Sequence, residues 1–310
     1  MKLHQLQSLC AIVDHDFNIS TAAKSLNATQ PGISAQLKIL EDQLGITLIV
    51  RNKTKIDGLS EAGIAILPAV RRMLAEADNI RRTIQTVKDH TSVKRLRIGT
   101  THTHAMYTLR PVFKRFSQTH PKVLLELRQS NPTHIAELVA ASEVDIGIAA
   151  EPLQRPLGVS FQPCFKIEHG VFMPRGHPLE SLAEITLADL SKYPIITYDA
   201  SFRLGRVVRH SFRASGLGLN VVINATDSDT TKAFVESGFG IAILPKLVYD
   251  PARDVTVSMV DVNHLFESSY CHLITVEGRE LDRHQQDFIA EFFESAPAFV
   301  KQHLAEINAL

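Results

Sequence analysis

Thr29-Gln30-Pro31-Gly32-Ile33-Ser34-Ala35-Gln36-Leu37-Lys38-Ile39-Leu40, continued by Glu41-Asp42-Gln43-Leu44-Gly45, carries its own start and stop signals. Thr29 can cap a helix by accepting a backbone N–H. Pro31 is tolerated in the first turn, where its missing N–H has no intrahelical partner. Gly45 ends the helix, because glycine enters the left-handed region without steric cost. Between them Ile33, Leu37, Leu40 and Leu44 recur at spacings of 4, 3 and 4, which predicts one buried face. Gln30, Pro31, Ser34, Ala35 and Lys38 flank or oppose that face. Upstream, Asn27-Ala28 reads as a tight turn, and Ser20 precedes a short helix over residues 21–26 whose small side chains let another helix cross closely. Leu6, Leu9, Cys10 and Val13 form the stripe of an earlier helix. A helix, a tight turn and a second helix with an uncharged N-terminal end has the form of a DNA-reading helix-turn-helix. Gln30 and Ser34 can reach base edges and Lys38 suits a phosphate. Ser20, Thr29 and Pro31 border the same end and join them as candidate contacts.

Downstream, Arg51-Asn52-Lys53-Thr54-Lys55 lies between the apolar run Thr47-Leu48-Ile49-Val50 and Gly58-Leu59. The expected form is a hairpin wing that offers Arg51, Lys53 and Lys55 to phosphates, each contact steepening the salt dependence of binding. A small helical domain with a solvated basic loop has the same periodicity, and periodicity alone leaves both readings open. Ile66, Val70, Met73, Ala77, Ile80, Ile84 and Val87 then alternate at spacings of 4 and 3. Such a heptad seam predicts a helix that pairs along its length with a second copy. Arg71, Arg72, Arg81 and Arg82 fall off the seam and are expected in solvent. Pro68 removes one backbone hydrogen bond and should kink or restart the helix.

The chain has 310 residues, 45% apolar and 21% charged, with Lys+Arg and Asp+Glu both 33. That length suits two or three domains, the composition argues against a largely disordered chain, and with net charge +0 any basic surface must be local. Cys10, Cys164 and Cys271 are far apart and odd in number, which fits a reducing compartment better than a disulfide framework. Cys164 reads as a structural thiol rather than a redox sensor, because nothing nearby in sequence lowers its pKa. Met1-Lys2-Leu3-His4-Gln5 lacks a signal peptide's apolar core, and no apolar run approaches the roughly 18 residues of a membrane span. The expectation is a cytoplasmic protein that does not engage membranes.

After His90, strands alternate with helices. Residues 96–99, 123–127 and 144–149 read as strands, with helices near 103–118 and 132–141. Residues 194–198, 220–223 and 241–244 form a second strand set, with helices over 203–215 and 228–237 and a helical tail around 285–293. The βαβαβ pattern implies parallel sheets and two α/β lobes with a cleft between them. Ligands of such sheets lie off the carboxyl ends of strands. That place holds Thr100-Thr101-His102-Thr103-His104, whose hydroxyls, imidazoles and backbone N–H groups could bind an anion; an extended helix cap is the alternative. There is no HExxH, GxSxG or Walker loop, and Gly238-Phe239-Gly240 is too short for a dinucleotide fingerprint, so no enzyme or cofactor is expected.

The stretches from Ser20 to Leu26, Thr29 to Ser34, Leu40 to Gly45 and Leu59 to Gly63 resemble the DNA-binding domain of LysR-type transcription regulators. Within that type, Thr100 to Thr103, Tyr107 to Leu109, Pro111, Phe113 to Pro121, Ala225 to Asp229, Lys232 and the N-terminal Met1 to Leu6 resemble the CysB/Cbl-like subfamily. The resemblance covers nearly the whole chain. It implies an α/β protein with an N-terminal winged helix-turn-helix (1–59), a dimerisation linker helix (60–90) and a two-lobed, periplasmic-binding-protein-like effector domain (91–310). The first lobe is expected at about 91–163 and 267–310, the second at about 164–266. It also implies double-stranded DNA, RNA polymerase and further copies of the chain, as dimer or tetramer, as partners, and sulfate, an acetylserine-like molecule or another small anion as effector. The family's anion-binding threonines carry over onto Thr101 and Thr103 and its neighbouring glutamine onto His104, with Thr226 in the second lobe. Two family threonines are replaced, by Ala150 and Arg203. Arg203 either enters the cleft, where it could grip a carboxylate or sulfonate, or belongs to a solvated stripe with Arg206, Arg209 and Arg213. Two rival functions are an exported solute-binding protein and a ligand-independent architectural DNA binder.

Overall fold

In the computed structural model, which describes residues 1–52, 55–89 and 94–308, Thr29 accepts the Gly32 N–H at 3.2 Å. Gly45 closes the same helix, α3 (Gln30–Leu44), at φ 69°. Before it come α1 (Leu3–Asp14) and α2 (Ile19–Ser25), the latter capped by Asn18 rather than begun at Ser20. Ile33, Leu37 and Leu40 are buried with Leu6, Leu9 and Ile12. Leu44 is 42% exposed, because Gly45 turns the chain away before the last turn meets the core. Ile12, not the half-buried Val13, completes the stripe of α1.

The expected wing is the antiparallel pair β1 (Ile49–Asn52) and β2 (Lys55–Leu59), with Ile49 opposite Leu59. Glu41 of α3 accepts the N–H groups of Leu48 and Ile49 at 2.7 and 3.2 Å. One helical carboxylate thus satisfies two strand donors and ties the wing to α3. Ser60 accepts the Gly63 N–H at the start of α4 (Glu61–Asp89). A Cβ at position 63 would lie 2.1 Å from the Leu48 carbonyl oxygen, so only glycine admits this approach. α4 runs through Pro68 as one helix, and the expected restart does not occur. The carbonyl left without its donor belongs to Ile64, a residue 61% exposed, so water can serve it. Val70 packs into the core of this unit with Ile66 and Leu74, whereas Met73, Ile80 and Ile84 are exposed. Arg71 is half-buried and paired with Asp14 rather than solvated. The side chains of Arg81, Arg82 and Val87 lie outside the described residues.

The chain from Lys94 onward, apart from Ala140–Glu143, which belongs with the first unit, forms a second compact unit. Its first sheet has the order β4-β3-β5-β12-β6. These strands are β3 (Lys94–Thr100), β4 (Val123–Gln129), β5 (Ile146–Ala150), β6 (Val159–Ile167) and β12 (Ser269–Val276). The other has the order β11-β7-β10-β8-β9. Its members are β7 (His169–Pro174), β8 (Ile195–Tyr198), β9 (Val221–Ala225), β10 (Ile241–Pro245) and β11 (Val257–Asp261). The βαβαβ runs make β4-β3-β5 and β10-β8-β9 parallel, as expected, but β12 and β7 run antiparallel to their neighbours, so both sheets are mixed. The chain crosses between lobes twice, at Glu168 and between β11 and β12.

Helices pack around these sheets: α5 (His102–Tyr107), α6 (Leu109–Thr119), α7 (Pro132–Ala140), α8 (Leu187–Leu190), α9 (Arg203–Ala214), α10 (Ser228–Glu236) and α11 (Arg283–Asn308). The single helix expected over 103–118 is two, α5 and α6. Pro111 cannot donate to the carbonyl of Tyr107 and its ring would collide there. Phe116 of α6 packs edge-on to Phe288 of α11 at 5.3 Å, and both are buried. Burial also pushes the Cys164 thiol up to about 12, which keeps it protonated. No helix among the described residues is long and apolar enough to cross a membrane.

Candidate functional site

Two surfaces gather the expected residues. On α3, Gln30, Pro31, Ala35 and Lys38 are exposed and Ser34 half-exposed, opposite the buried Ile33, Leu37 and Leu40. Ser34, Ala35, Lys38 and Arg51 share an open groove of about 940 Å³ with Asp42 and Thr47. Ser20 donates to Gln30 Oε1 at 3.1 Å, which holds the amide and leaves its NH₂ to donate elsewhere. Thr29 is occupied in capping and positions the helix. Lys53 and the side chain of Lys55 lie outside the described residues.

The other surface is a small cavity of about 60 Å³ between the lobes of the second unit. Thr101, Thr103, His104 and Ala150 reach it from the first lobe; Arg203 and Thr226 reach it from the second. Two members of the expected cluster do not. Thr100 is fully buried at the end of β3 and donates to the Ile148 carbonyl at 2.8 Å, so its hydroxyl serves the sheet. His102 leaves on another side of α5, where Nε2 lies 2.9 Å from Asp229 Oδ2. Tyr107 donates to the other oxygen of Asp229 at 2.5 Å, so α10 is latched to the first lobe beside the cavity rather than inside it.

Thr101 caps α5, accepting the His104 N–H at 3.4 Å, and its own hydroxyl proton remains to be donated. Thr103 closes a triangle of hydroxyls across the lobes, 3.2 Å from Tyr198 and 3.0 Å from Ser228, with 2.6 Å between the latter two. Tyr198 is brought here by the close approach of α9 to the end of β8. A Cβ on Gly205 would lie 2.3 Å from the Tyr198 carbonyl oxygen. Arg203 does not belong to one solvated stripe with its helical neighbours. Its Nη2 is 2.8 Å from Glu267 and its Nη1 3.5 Å from Glu151. Arg206 and Arg209 instead donate to backbone carbonyls, of Ala200 and of Tyr198 and Gly205.

Sequence reasoning missed His169, Ser269 and Tyr198 in this lining. Burial lowers His104 to about 4, and burial lowers His169 to about 4 against the opposing pull of the Asp261 carboxylate. Both rings are therefore neutral in the folded protein at neutral pH. Unfolded, each takes up its proton near 6.5, so between about 6.5 and 4 the unfolded chain binds more protons and stability is lost as the pH is lowered. The melting temperature of the ligand-free full chain is expected to drop by several degrees from pH 7 to pH 5, and less steeply in His169→Phe. Equal slopes in the two proteins would mean that His169 is protonated without unfolding.

Residues 3–63 match the family described as bacterial regulatory helix-turn-helix protein, lysR family, and residues 90–297 match the LysR substrate binding domain. The chain is 38% identical to the HTH-type transcriptional regulator SsuR of Burkholderia cenocepacia, over 87% of each protein. It is 35% identical to the HTH-type transcriptional regulator CysB of the same species, over 91% of this chain and 90% of that one. The crystal structure of the cofactor-binding domain of the Cbl transcriptional regulator superposes with a TM-score of 0.60 at 31% identity, covering 70% of this chain and 94% of that one.

Proposed function

The chain belongs to the LysR family of DNA-binding transcription regulators, in its CysB/Cbl-like branch, and we propose that a small anion in the interlobe cavity governs its action on genes of sulfur assimilation or organic-sulfur use. One observation carries the effector half of this reading. Arg203 Nε, in a residue of the cavity lining, is buried without a hydrogen-bond partner. Buried polar groups are rarely left so, and an N–H donor calls for an acceptor. The hydroxyl of Thr101 adds a second donor. The sulfur assignment rests on the resemblance to SsuR, CysB and Cbl.

On the DNA side, Gln30 and Ser34 read base edges while Lys38, Arg51, Lys53 and Lys55 meet phosphates, with Ser20, Thr29 and Pro31 setting the helix end. The exposed Met73, Ile80 and Ile84 of α4 suit pairing with a second copy. The assembly is a tetramer that contacts RNA polymerase in the cytoplasm, with no cofactor beyond the effector.

A thermal-shift series on the full chain with sulfate, thiosulfate, acetylserine isomers and small sulfonates tests the effector half. Ligand bound only to the folded state raises the melting temperature. A rise with at least one of these anions is expected. No rise with any of them would leave a ligand-independent DNA binder as the better reading.

A further inference from the structure

The cavity has two chemical characters. Thr101, Thr103 and Ser269 bring hydroxyls, whereas Phe202, Leu204, Ile167 and Leu247 bring carbon. The cation in the lining, Arg203, is already engaged by two carboxylates, Glu267 at 2.8 Å and Glu151 at 3.5 Å. Glu151 is shared with Arg155 at 2.7 Å. The surroundings of Arg203 are therefore close to neutral, and the donor that it still has without a partner is the buried Nε–H.

Inorganic sulfate fits such a place poorly. It carries four acceptor oxygens and two negative charges at neutral pH. Any oxygen turned to Leu247 or Phe202 would lose water and gain no donor, which is unfavourable for a charged group. Its second charge would also lie near the carboxylates of Glu151 and Glu267, which already hold Arg203. A sulfonate or carboxylate on a short alkyl chain avoids both penalties. Its oxygens take the Thr101 hydroxyl and the Arg203 Nε–H, and its carbon end meets the apolar wall. Glu267 is 71% exposed and can swing into water if the incoming head group takes more of the guanidinium.

We infer that the cleft selects a short-chain organic monoanion over inorganic sulfate, with Arg203 as the specificity-determining residue; this rests on the effector reading of the cleft given above. The test is calorimetric titration of the full chain with ethanesulfonate, propanoate and sulfate at constant ionic strength. At least one organic anion is expected to bind about tenfold or more tightly than sulfate, the order that one or two methylenes supply in an apolar pocket. Arg203→Thr should lower the ratio severalfold, because Glu151 and Glu267 are no longer held at the cavity, while the part of the preference owed to the apolar wall remains. Glu267→Gln, at an exposed side chain that the fold does not need, should tighten ethanesulfonate severalfold by releasing Arg203. Sulfate binding as tightly as both organic anions, or a ratio unmoved by Arg203→Thr in a protein that still melts cooperatively, overturns this inference and leaves the small-anion reading standing. Failure of all three anions to bind removes both.

Discussion

Thr101→Ala combined with Thr103→Ala is expected to abolish the response to anions and to leave DNA binding without ligand intact. Thr101 has one free hydroxyl proton and Thr103 belongs to the hydroxyl triangle that joins the lobes. A hydrogen bond to a charged group contributes about 1.5–3 kcal/mol, so losing that of Thr101 should weaken anion affinity by roughly ten- to a hundredfold, and opening the hydroxyl triangle at Thr103 disturbs the cavity further. The fold weakens too. Removal of a helix cap costs about 1 kcal/mol, and Tyr198 and Ser228 retain each other at 2.6 Å. Such a loss lowers the melting temperature without unfolding the chain. Thr101→Ser with Thr103→Ser keeps both hydroxyls and should recover most of the affinity. If calorimetry finds undiminished binding in the double alanine variant, the ligand occupies another place.

Lys38→Glu should have a comparably large effect on the other function. Lys38 is exposed on α3, and its groove already contains Asp42 one turn on. Reversal removes a phosphate contact and sets a like-charge pair against the DNA. Affinity for all duplexes should fall by roughly a hundredfold, and the dependence of log affinity on log salt should flatten by about one unit or more. Gln30→Ala should act differently. It should lose about 1–3 kcal/mol on the preferred sequence and little on random DNA, because a base contact carries specificity and a phosphate contact does not. An unchanged salt slope in Lys38→Glu would take α3 off the phosphate backbone.

Features set by neighbours within a few residues were legible in the sequence. Thr29 and Gly45 delimit α3 through contacts inside one turn, and the spacing of Ile33, Leu37 and Leu40 determines which face is buried. Thr101, Thr103 and His104 reach the cavity because one strand-to-helix turn presents them together. Thr100 and Thr101 look alike in the sequence, yet the first ends a strand and bonds Ile148 while the second caps a helix. The residues missed arrive through distant chain. His169 and Ser269 stand at the two lobe crossovers, and β12 enters the first sheet between β5 and β6 from far along the sequence. Arg203 could not be assigned from helical spacing, because its partners, Glu151 and Glu267, come from outside its helix. Leu44 shows the converse. A correct period does not bury a residue once the helix has run past its core.

DNase footprinting of the full chain on its upstream control region, with and without ethanesulfonate and sulfate, joins the two functions in one measurement. Half-sites separated by about one helical turn or a multiple of it are expected. Anion should change the extent or affinity of the footprint in the native chain, and not in the Thr101→Ala, Thr103→Ala variant. A footprint indifferent to every anion tested, in native and variant protein alike, would contradict an anion-governed regulator.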